Sequence, residues 1–122
     1  MWWESSTVDN LAEELGLIKV SSDDEYSQTV FWALKELPKF SEWAVCLYKD
    51  KGDLNACTDI ILDNTVSGSF YTLSTVDAKP CDDVDTFKSY IKTLHNRYSK
   101  KFVELKKRKE MLNLEQIKRD FV

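Results

Sequence analysis

Residues Asp82–Leu112 read DDVDTFKSYIKTLHNRYSKKFVELKKRKEML, and this stretch decides the fold. At the α-helical step of about 100° per residue, seven of its apolar residues fall within one arc of about 80°. These residues are Val84, Phe87, Ile91, Leu94, Tyr98, Phe102 and Leu105. A stripe of this kind is typical of a helix that packs one face against a core. The stretch therefore predicts a long amphipathic C-terminal helix.

The charges at the two ends of this stretch favour the same helix. Three aspartates lie within Asp82–Asp85, and the cations Lys106–Lys109 lie near the other end. Both positions complement the helix dipole. Beyond Leu112 the apolar phase changes, and Asn113 begins a pattern that resembles a capping box. We therefore expect the helix to break at Asn113 and a short terminal helix to cover residues 113–122.

A continuous helix is the alternative at this point. Leu114, Ile117 and Phe121 would then form a second apolar face, more than about 100° away from the first. A projecting apolar face needs a partner, so a homodimer through the C-terminal helix is a candidate assembly.

Three segments upstream are rich in β-branched, aromatic or alternating apolar residues. They are Trp43–Lys49, Leu54–Leu62 and Ser69–Val76. Turn-forming residues separate them at Asp50–Asp53 and at Asp63–Asn64. Short turns between consecutive strands favour a meander, so we expect a three-stranded antiparallel sheet.

Two helices are predicted ahead of the sheet. Val8–Leu15 has apolar residues at helical spacing, and Gly16 fits a left-handed ending. Asp23–Leu37 opens with the capping-box pattern of Ser22–Glu25 and has a second apolar stripe. The predicted fold class is therefore α+β, with two N-terminal helices, three strands and the long helix.

Length and composition bound the class of protein. The chain has 122 residues, of which 43% are hydrophobic and 31% charged, as in ordinary globular proteins. We expect a single domain over residues 1–122, with residues 1–6 as a candidate disordered segment. No apolar run is long enough for a membrane span, and the first ten residues lack a secretory pattern. We therefore expect a cytoplasmic protein with no membrane contact and with reduced cysteines.

The sequence contains no recognised catalytic or metal-binding motif. Cys46, Cys57, Cys81 and His95 are residue types that bind zinc or form a nucleophilic pair, but they lack close C-x2-C spacing or a local signature. We interpret the cysteines as core residues and His95 as a structural or surface residue. The prediction is a non-enzymatic protein with no metal and no cofactor; a site assembled only in space is the open alternative.

Charge is distributed unevenly along the chain. Residues 1–85 contain 6 Lys/Arg and 17 Asp/Glu, a net charge of −11, whereas residues 86–122 contain 11 and 4, a net charge of +7. Such asymmetry between segments indicates an electrostatic partner.

The leading functional hypothesis is a protein-binding module whose acidic body docks on a basic partner protein. The candidate contact residues are Trp32, Asp23, Asp24 and Glu25. Tryptophan is enriched among binding hot spots, and Trp32 lies opposite the stripe of its predicted helix. One sharp version is an inhibitor that presents carboxylates in place of phosphates to a nucleic-acid-binding protein. Small acidic phage-encoded anti-defence inhibitors are similar to this chain in size and charge.

The alternative hypothesis is a nucleic-acid-binding protein that uses the basic C-terminal helix, with a dimer as a candidate form. Its candidate residues are Arg97, Lys100, Lys101, Lys106, Lys107, Arg108 and Lys109. Together these cations spread around every direction of the helix outside the core stripe. Tyr90 lies outside that stripe and is a candidate for stacking on a base.

Overall fold

The fold consists of a five-stranded antiparallel sheet and two helices. We analysed it in a computed structural model that describes residues 1–64 and 71–120, with side chains described except at 64, 71 and 112–120. The helices are α1 (Ser5–Leu15) and α2 (Val84–Asp120). The strands are β1 (Leu17–Lys19), β2 (Thr29–Leu34), β3 (Val45–Tyr48), β4 (Asp53–Asn64) and β5 (Tyr71–Pro80). A 3₁₀ turn covers Phe40–Glu42.

The sheet is a simple meander in the order β1-β2-β3-β4-β5, and every neighbouring pair is antiparallel. The three predicted strands are confirmed as β3, β4 and β5, with shifted ends. In β4 the alternation read from the sequence is also confirmed, since Leu54, Ala56 and Ile60 are all buried. The predicted count of three strands is wrong, because β1 and β2 extend the sheet on its other side.

The second predicted helix, Asp23–Leu37, is wrong. Its C-terminal part is strand β2, which pairs with β1 on one side and with β3 on the other. The sequence of Thr29–Leu34 is TVFWAL, and β-branched and aromatic residues favour strands. A strand with neighbours on both sides and buried residues on both faces shows no period-2 alternation, so helical spacing matched it by chance.

The first predicted helix is confirmed and begins three residues earlier than expected, at Ser5. Gly16 ends it with φ of 73°, the left-handed conformation that glycine adopts at little cost, and its N–H donates to Ala12. The ring of His95 on α2 closes this end, with Nε2 at 2.8 Å from the carbonyl oxygen of Leu15. These contacts tie α1 to α2.

The core lies between the sheet and the first half of α2. Phe87, Ile91 and Leu94 are fully buried, as the apolar stripe predicts. Trp3 completes the core: it is 1% exposed, and its indole N–H donates to the carbonyl of Cys81 at 2.9 Å. An N-terminal residue ahead of α1 is therefore part of the packed interior.

Helix α2 runs without a break through Asn113 to Asp120, so the predicted break and the short terminal helix over 113–122 are wrong. The segment after Met111 contains no glycine or proline and is rich in strong helix formers, which outweigh a weak capping pattern. The side chains of Leu114 and Ile117, and all of Phe121, lie outside the described residues. The second apolar face expected for a continuous helix therefore stays a prediction.

The predicted turn at Asp63–Asn64 is also wrong. Asp63 pairs with Thr72 and Asn64 with Tyr71, so both belong to the β4–β5 ladder. The connection between these strands, which includes the predicted strand start at Ser69, lies outside the described residues. Neither helix has an apolar stretch long enough to cross a membrane, within the residues that the structure describes.

Candidate functional site

Trp32, the predicted contact residue, is buried, with 1% of its surface exposed. The prediction that Trp32 lies on the outer side of a helix is wrong, because the residue belongs to strand β2 and its ring packs in the core. The indole N–H donates to a carboxylate oxygen of Asp9 at 3.0 Å, and Lys19 Nζ lies 5.6 Å from the ring centroid. Trp32 is thus a structural residue whose polar edge is satisfied inside the protein.

Asp23 lies at the centre of an internal cluster of polar contacts. Its carboxylate binds Lys19 Nζ at 2.7 Å and Lys49 Nζ at 2.9 Å, and the hydroxyl of Ser5 also donates to it. Partial burial works to raise the pKa of Asp23, but the hydrogen bonds from Lys19, Ser5 and Lys49 outweigh it and hold the pKa below its ordinary value. The charge of Asp23 is therefore neutralised by two lysines within the chain.

Asp24 and Glu25 lie on the surface, in the turn that precedes β2, and not in a helix. The carboxylate of Asp24 accepts a hydrogen bond from the hydroxyl of Ser27 at 3.0 Å and from the amide of Tyr26 at 2.9 Å. These bonds lower the pKa of Asp24. Such an Asx turn is a local alternative to helix capping. The structure therefore keeps Asp24 and Glu25 exposed, whereas Trp32 is buried.

The predicted basic residues lie on α2, between Arg97 and Lys109. The described side chains of residues 106–111 are all exposed. Arg97 forms an ion pair with Asp59 on β4 at 3.2 Å, and Lys101 pairs with Glu104 at 3.3 Å. Lys106 lies over the ring of Phe102 at 5.4 Å from its centroid. Most of the basic charge is therefore carried by a helix segment outside the packed core.

The seven predicted cations together cover more than one side of α2, but five of them lie within one arc. At about 100° per residue they occupy an arc of about 120°, and the side chain of Tyr90 falls in the same arc. Lys106 and Lys109 point in other directions. Arg97, Lys100 and Lys101 line one open depression of about 390 Å³ beside β4. We call the set of five the basic flank: Arg97, Lys100, Lys101, Lys107 and Arg108.

Sequence reasoning missed a second surface, at the end of the molecule where α2 begins. Asp53 and Asp82 line one depression of about 510 Å³ there. Three further aspartates are their close neighbours in sequence. We call this set the acidic end: Asp50, Asp53, Asp82, Asp83 and Asp85.

Apolar side chains are exposed at the acidic end. Met1 is 65% exposed, Trp2 57% and Tyr48 42%. The Trp2 ring lies across Gly52, in the β3–β4 turn, where φ is 64° and a Cβ would collide with the ring. The adjacent Trp2–Trp3 pair was a signal in the sequence, but only the fold shows which ring is buried and which is exposed.

The cysteines and His95 do not form a reactive pair. Cys46, Cys57 and Cys81 are all buried and unbonded to one another. Burial raises the pKa of the Cys57 thiol to about 11 and that of Cys81 to about 12, so both thiols are protonated at neutral pH. His95 binds the end of α1 instead. The structure thus gives each of these residues a packing role.

The acidic motifs do not gather into a metal site. No group of three or more His, Cys, Asp or Glu side chains has the geometry to hold a metal ion in the part of the chain that the structure describes. Asp83 instead caps α2: its Oδ1 accepts a hydrogen bond from the backbone N–H of Thr86, with an N–O distance of 2.7 Å. Hydrogen bonding to the Thr86 amide lowers the pKa of Asp83.

Comparisons with protein-family models, with curated proteins and with solved structures found no match to this chain. The functional argument therefore rests on the chain's own residues.

Proposed function

We propose that this protein binds nucleic acid through the basic flank of α2. The observation that supports the proposal is the alignment of five cations on one side of a helix, three of which line one open depression. Cations aligned on one face can meet successive phosphates of one strand, whereas evenly spread cations cannot.

The ion pairs within the basic flank are compatible with phosphate binding. The side chains of Arg97 and Asp59 are 52% and 36% exposed. Ion pairs on exposed surfaces stabilise a fold by only about 0–1 kcal/mol. Arginine binds phosphate through a bidentate pair of hydrogen bonds, which is stronger than a single solvated contact. A phosphate can therefore displace the Asp59 carboxylate at little cost.

The net charge of −4 does not oppose this function. Along the helix axis, Asp85 is separated from Arg97, the nearest member of the flank, by 12 residues, or roughly 18 Å. The Debye length at physiological ionic strength is about 8 Å, so the acidic end is screened from a phosphate on the basic flank. The acidic end instead disfavours other orientations of a bound polyanion.

The test is a salt series of binding measured by fluorescence anisotropy with labelled DNA and RNA. Five phosphate contacts predict that log K falls with log salt with a slope of about −3.5 to −4.5. The double variant Lys100→Ala/Lys107→Ala should reduce the magnitude of the slope by about 1.4–1.8. The matched control, Lys35→Ala/Lys51→Ala, removes the same charge from exposed lysines outside the flank. Equal loss in the two double variants would contradict the proposal.

A second candidate function is docking of a basic protein at the acidic end. The observation that favours it is the exposed Trp2 ring, held across Gly52 in the turn between Asp50 and Asp53. Tryptophan is a preferred hot-spot residue, and a rim of carboxylates accelerates encounter with a basic surface. The second candidate retains the hypothesis of a protein-binding module with an acidic, tryptophan-bearing surface, including the version in which the module is an inhibitor. Trp2 replaces Trp32 as the candidate contact residue.

Poly-lysine is the probe for this second candidate, and tryptophan emission is the readout. We expect Asp53→Asn/Asp82→Asn to weaken binding more than the matched pair Glu13→Gln/Glu25→Gln, which removes two exposed carboxylates elsewhere. Trp2→Phe should abolish the emission change, since it removes the exposed indole. Equal weakening by the two carboxylate pairs would exclude a specific acidic docking surface.

A further inference from the structure

The basic flank borders a groove between α2 and the β4–β5 hairpin. The groove consists of two adjoining depressions of about 390 Å³ and 210 Å³, which share the lining residues Asp59, Thr93 and Arg97. Lys100 and Lys101 line only the first. The second is lined by less basic residues, which are Thr58, Asp77, Lys79, Ser89 and Tyr90. The groove thus has a basic part at α2 and a more neutral, hydrogen-bonding part over the sheet.

Asp77 lies in the neutral part, and its backbone is unusual. Its φ is 61° inside strand β5, and it is the one non-glycine residue with positive φ among those that the structure describes. The hydroxyl of buried Thr58 lies 3.0 Å from a carboxylate oxygen of Asp77 and 3.0 Å from its carbonyl oxygen. Aspartate tolerates this conformation better than most residues, and such outliers concentrate at functional sites. The strained backbone holds a carboxylate beside the groove.

Tyr90 supplies an aromatic surface to the same part of the groove. It lies on the side of α2 that carries the basic flank, and its ring is half-buried against the core. Aromatic side chains next to a basic track are the stacking platforms of single-strand-binding proteins. The groove therefore combines three groups that can bind a nucleotide: cations for the phosphate, an aromatic ring for stacking and a hydrogen-bond acceptor for the base.

We infer that the groove binds a single-stranded polynucleotide and selects a base that carries an exocyclic amino group. This inference rests on the proposed nucleic-acid binding and adds the form of the ligand. The base stacks on Tyr90 and donates its amino hydrogens to Asp77, while Arg97 and Lys100 bind the flanking phosphates. A carboxylate accepts from the amino group of cytosine but repels the carbonyl oxygens of thymine and uracil. A duplex does not fit, because its bases are already stacked and paired.

The experiment measures anisotropy of labelled homopolymers of about 12 nucleotides, within the usual site size of such proteins. The series comprises oligo-dC, oligo-dT, oligo-rC, oligo-rU and oligo-dC annealed to oligo-dG. We expect cytosine oligomers to bind at least about fivefold more tightly than thymine or uracil oligomers. The comparison of the deoxy with the ribo series identifies the sugar. Duplex binding as tight as oligo-dC binding would overturn the inference.

Variants at Tyr90 and Asp77 locate the effect in the groove. Tyr90→Leu should weaken oligo-dC binding by roughly 5- to 100-fold, whereas Tyr90→Phe keeps the ring and should bind as the natural chain does. Asp77→Asn tolerates the same φ and should abolish the preference for cytosine. Circular dichroism melts of each variant confirm that the fold is intact.

The outcomes separate this inference from the proposal on which it rests. A steep salt dependence with equal binding of oligo-dC and oligo-dT, and no effect of Tyr90→Leu, overturns the groove and leaves the basic flank as the binding surface. Absence of binding to every oligomer at low salt overturns both.

Discussion

The two halves of α2 differ in what fixes them. Between residues 84 and 105, the apolar stripe is packed on the sheet, and Phe87, Ile91 and Leu94 have no exposed surface. Between residues 106 and 111, every described side chain is exposed, and four of the six are cations. Burial fixes where the first half lies, and charge determines what the second half offers to a partner. One continuous helix thus packs its apolar stripe on the body and carries the cations of the basic flank along both halves.

Replacing a buried side chain in the packed half of α2 should give the largest loss of stability. Phe87→Ala removes a fully buried ring that contacts Trp3 edge-on, with ring centroids 5.7 Å apart. We expect a loss of about 3–5 kcal/mol in the free energy of unfolding, measured by urea denaturation. Phe102→Ala is the matched control, since Phe102 lies on the same stripe but is 39% exposed. Similar losses in the two variants would show that burial does not determine how much a residue of this stripe contributes to stability.

A smaller effect is expected from the internal ion cluster that ties the loop before β2 to the body. Asp23→Asn should lower the free energy of unfolding at neutral pH by about 1–3 kcal/mol, because Lys19 and Lys49 lose a shared carboxylate. Glu25→Gln, at an exposed neighbour, should change it by less than about 0.5 kcal/mol.

The pH dependence of this effect has a definite sign. The folded-state pKa of Asp23 is lowered, so its contribution is fully present above the ordinary aspartate pKa of about 4 and is lost as pH falls below it. The stability gap between the natural chain and Asp23→Asn should therefore shrink on acidification below about pH 4. A gap that widens with acid would contradict the assignment.

The two left-handed glycines provide a matched pair with a still smaller effect. Gly52→Ala and Gly16→Ala should each cost about 1–2 kcal/mol of stability, because alanine is strained at positive φ. Only Gly52→Ala should also displace the Trp2 ring, since a Cβ at Gly16 makes an ordinary contact of 3.5 Å with His95. Tryptophan emission is the readout. An unchanged spectrum for Gly52→Ala would show that Trp2 does not lie across the turn.

The smallest stability effect is expected on the basic flank. Lys100→Ala/Lys107→Ala should change the free energy of unfolding by less than about 0.5 kcal/mol for each substituted lysine, although it weakens nucleic-acid binding. Thermal denaturation monitored by circular dichroism measures this. A clear loss of stability would mean that these lysines hold α2 to the body and are not free for a ligand.

Elements with a complete local signal could be predicted from the sequence. The stripe of α2, the alternation in β4 and the glycine after α1 each depend on residues that are close in sequence, and each was confirmed. Strand β2 could not be recognised, because it lies between β1 and β3 and has buried residues on both faces of the sheet, so its apolar residues do not alternate with polar ones. The burial of Trp32 likewise depends on distant parts of the chain, since its indole meets Asp9 of α1.

Which residues lie together on the candidate surfaces could not be predicted from the sequence alone. The basic residues were identified from the sequence, but the depression that Arg97, Lys100 and Lys101 line beside β4 became visible only in the fold. The acidic end joins the N-terminus, the β3–β4 turn and the start of α2, which are far apart in the chain. Contacts of that range are not encoded in local spacing.

The burial of all three cysteines has a practical consequence. Thiol reagents react with exposed thiolates, and Cys46, Cys57 and Cys81 are at most 5% exposed. A single cysteine introduced on α2 would therefore be the preferred site of maleimide coupling in the native state. Paired spin labels or fluorophores at the two ends of the helix would then report distances along it, without any prior removal of natural residues.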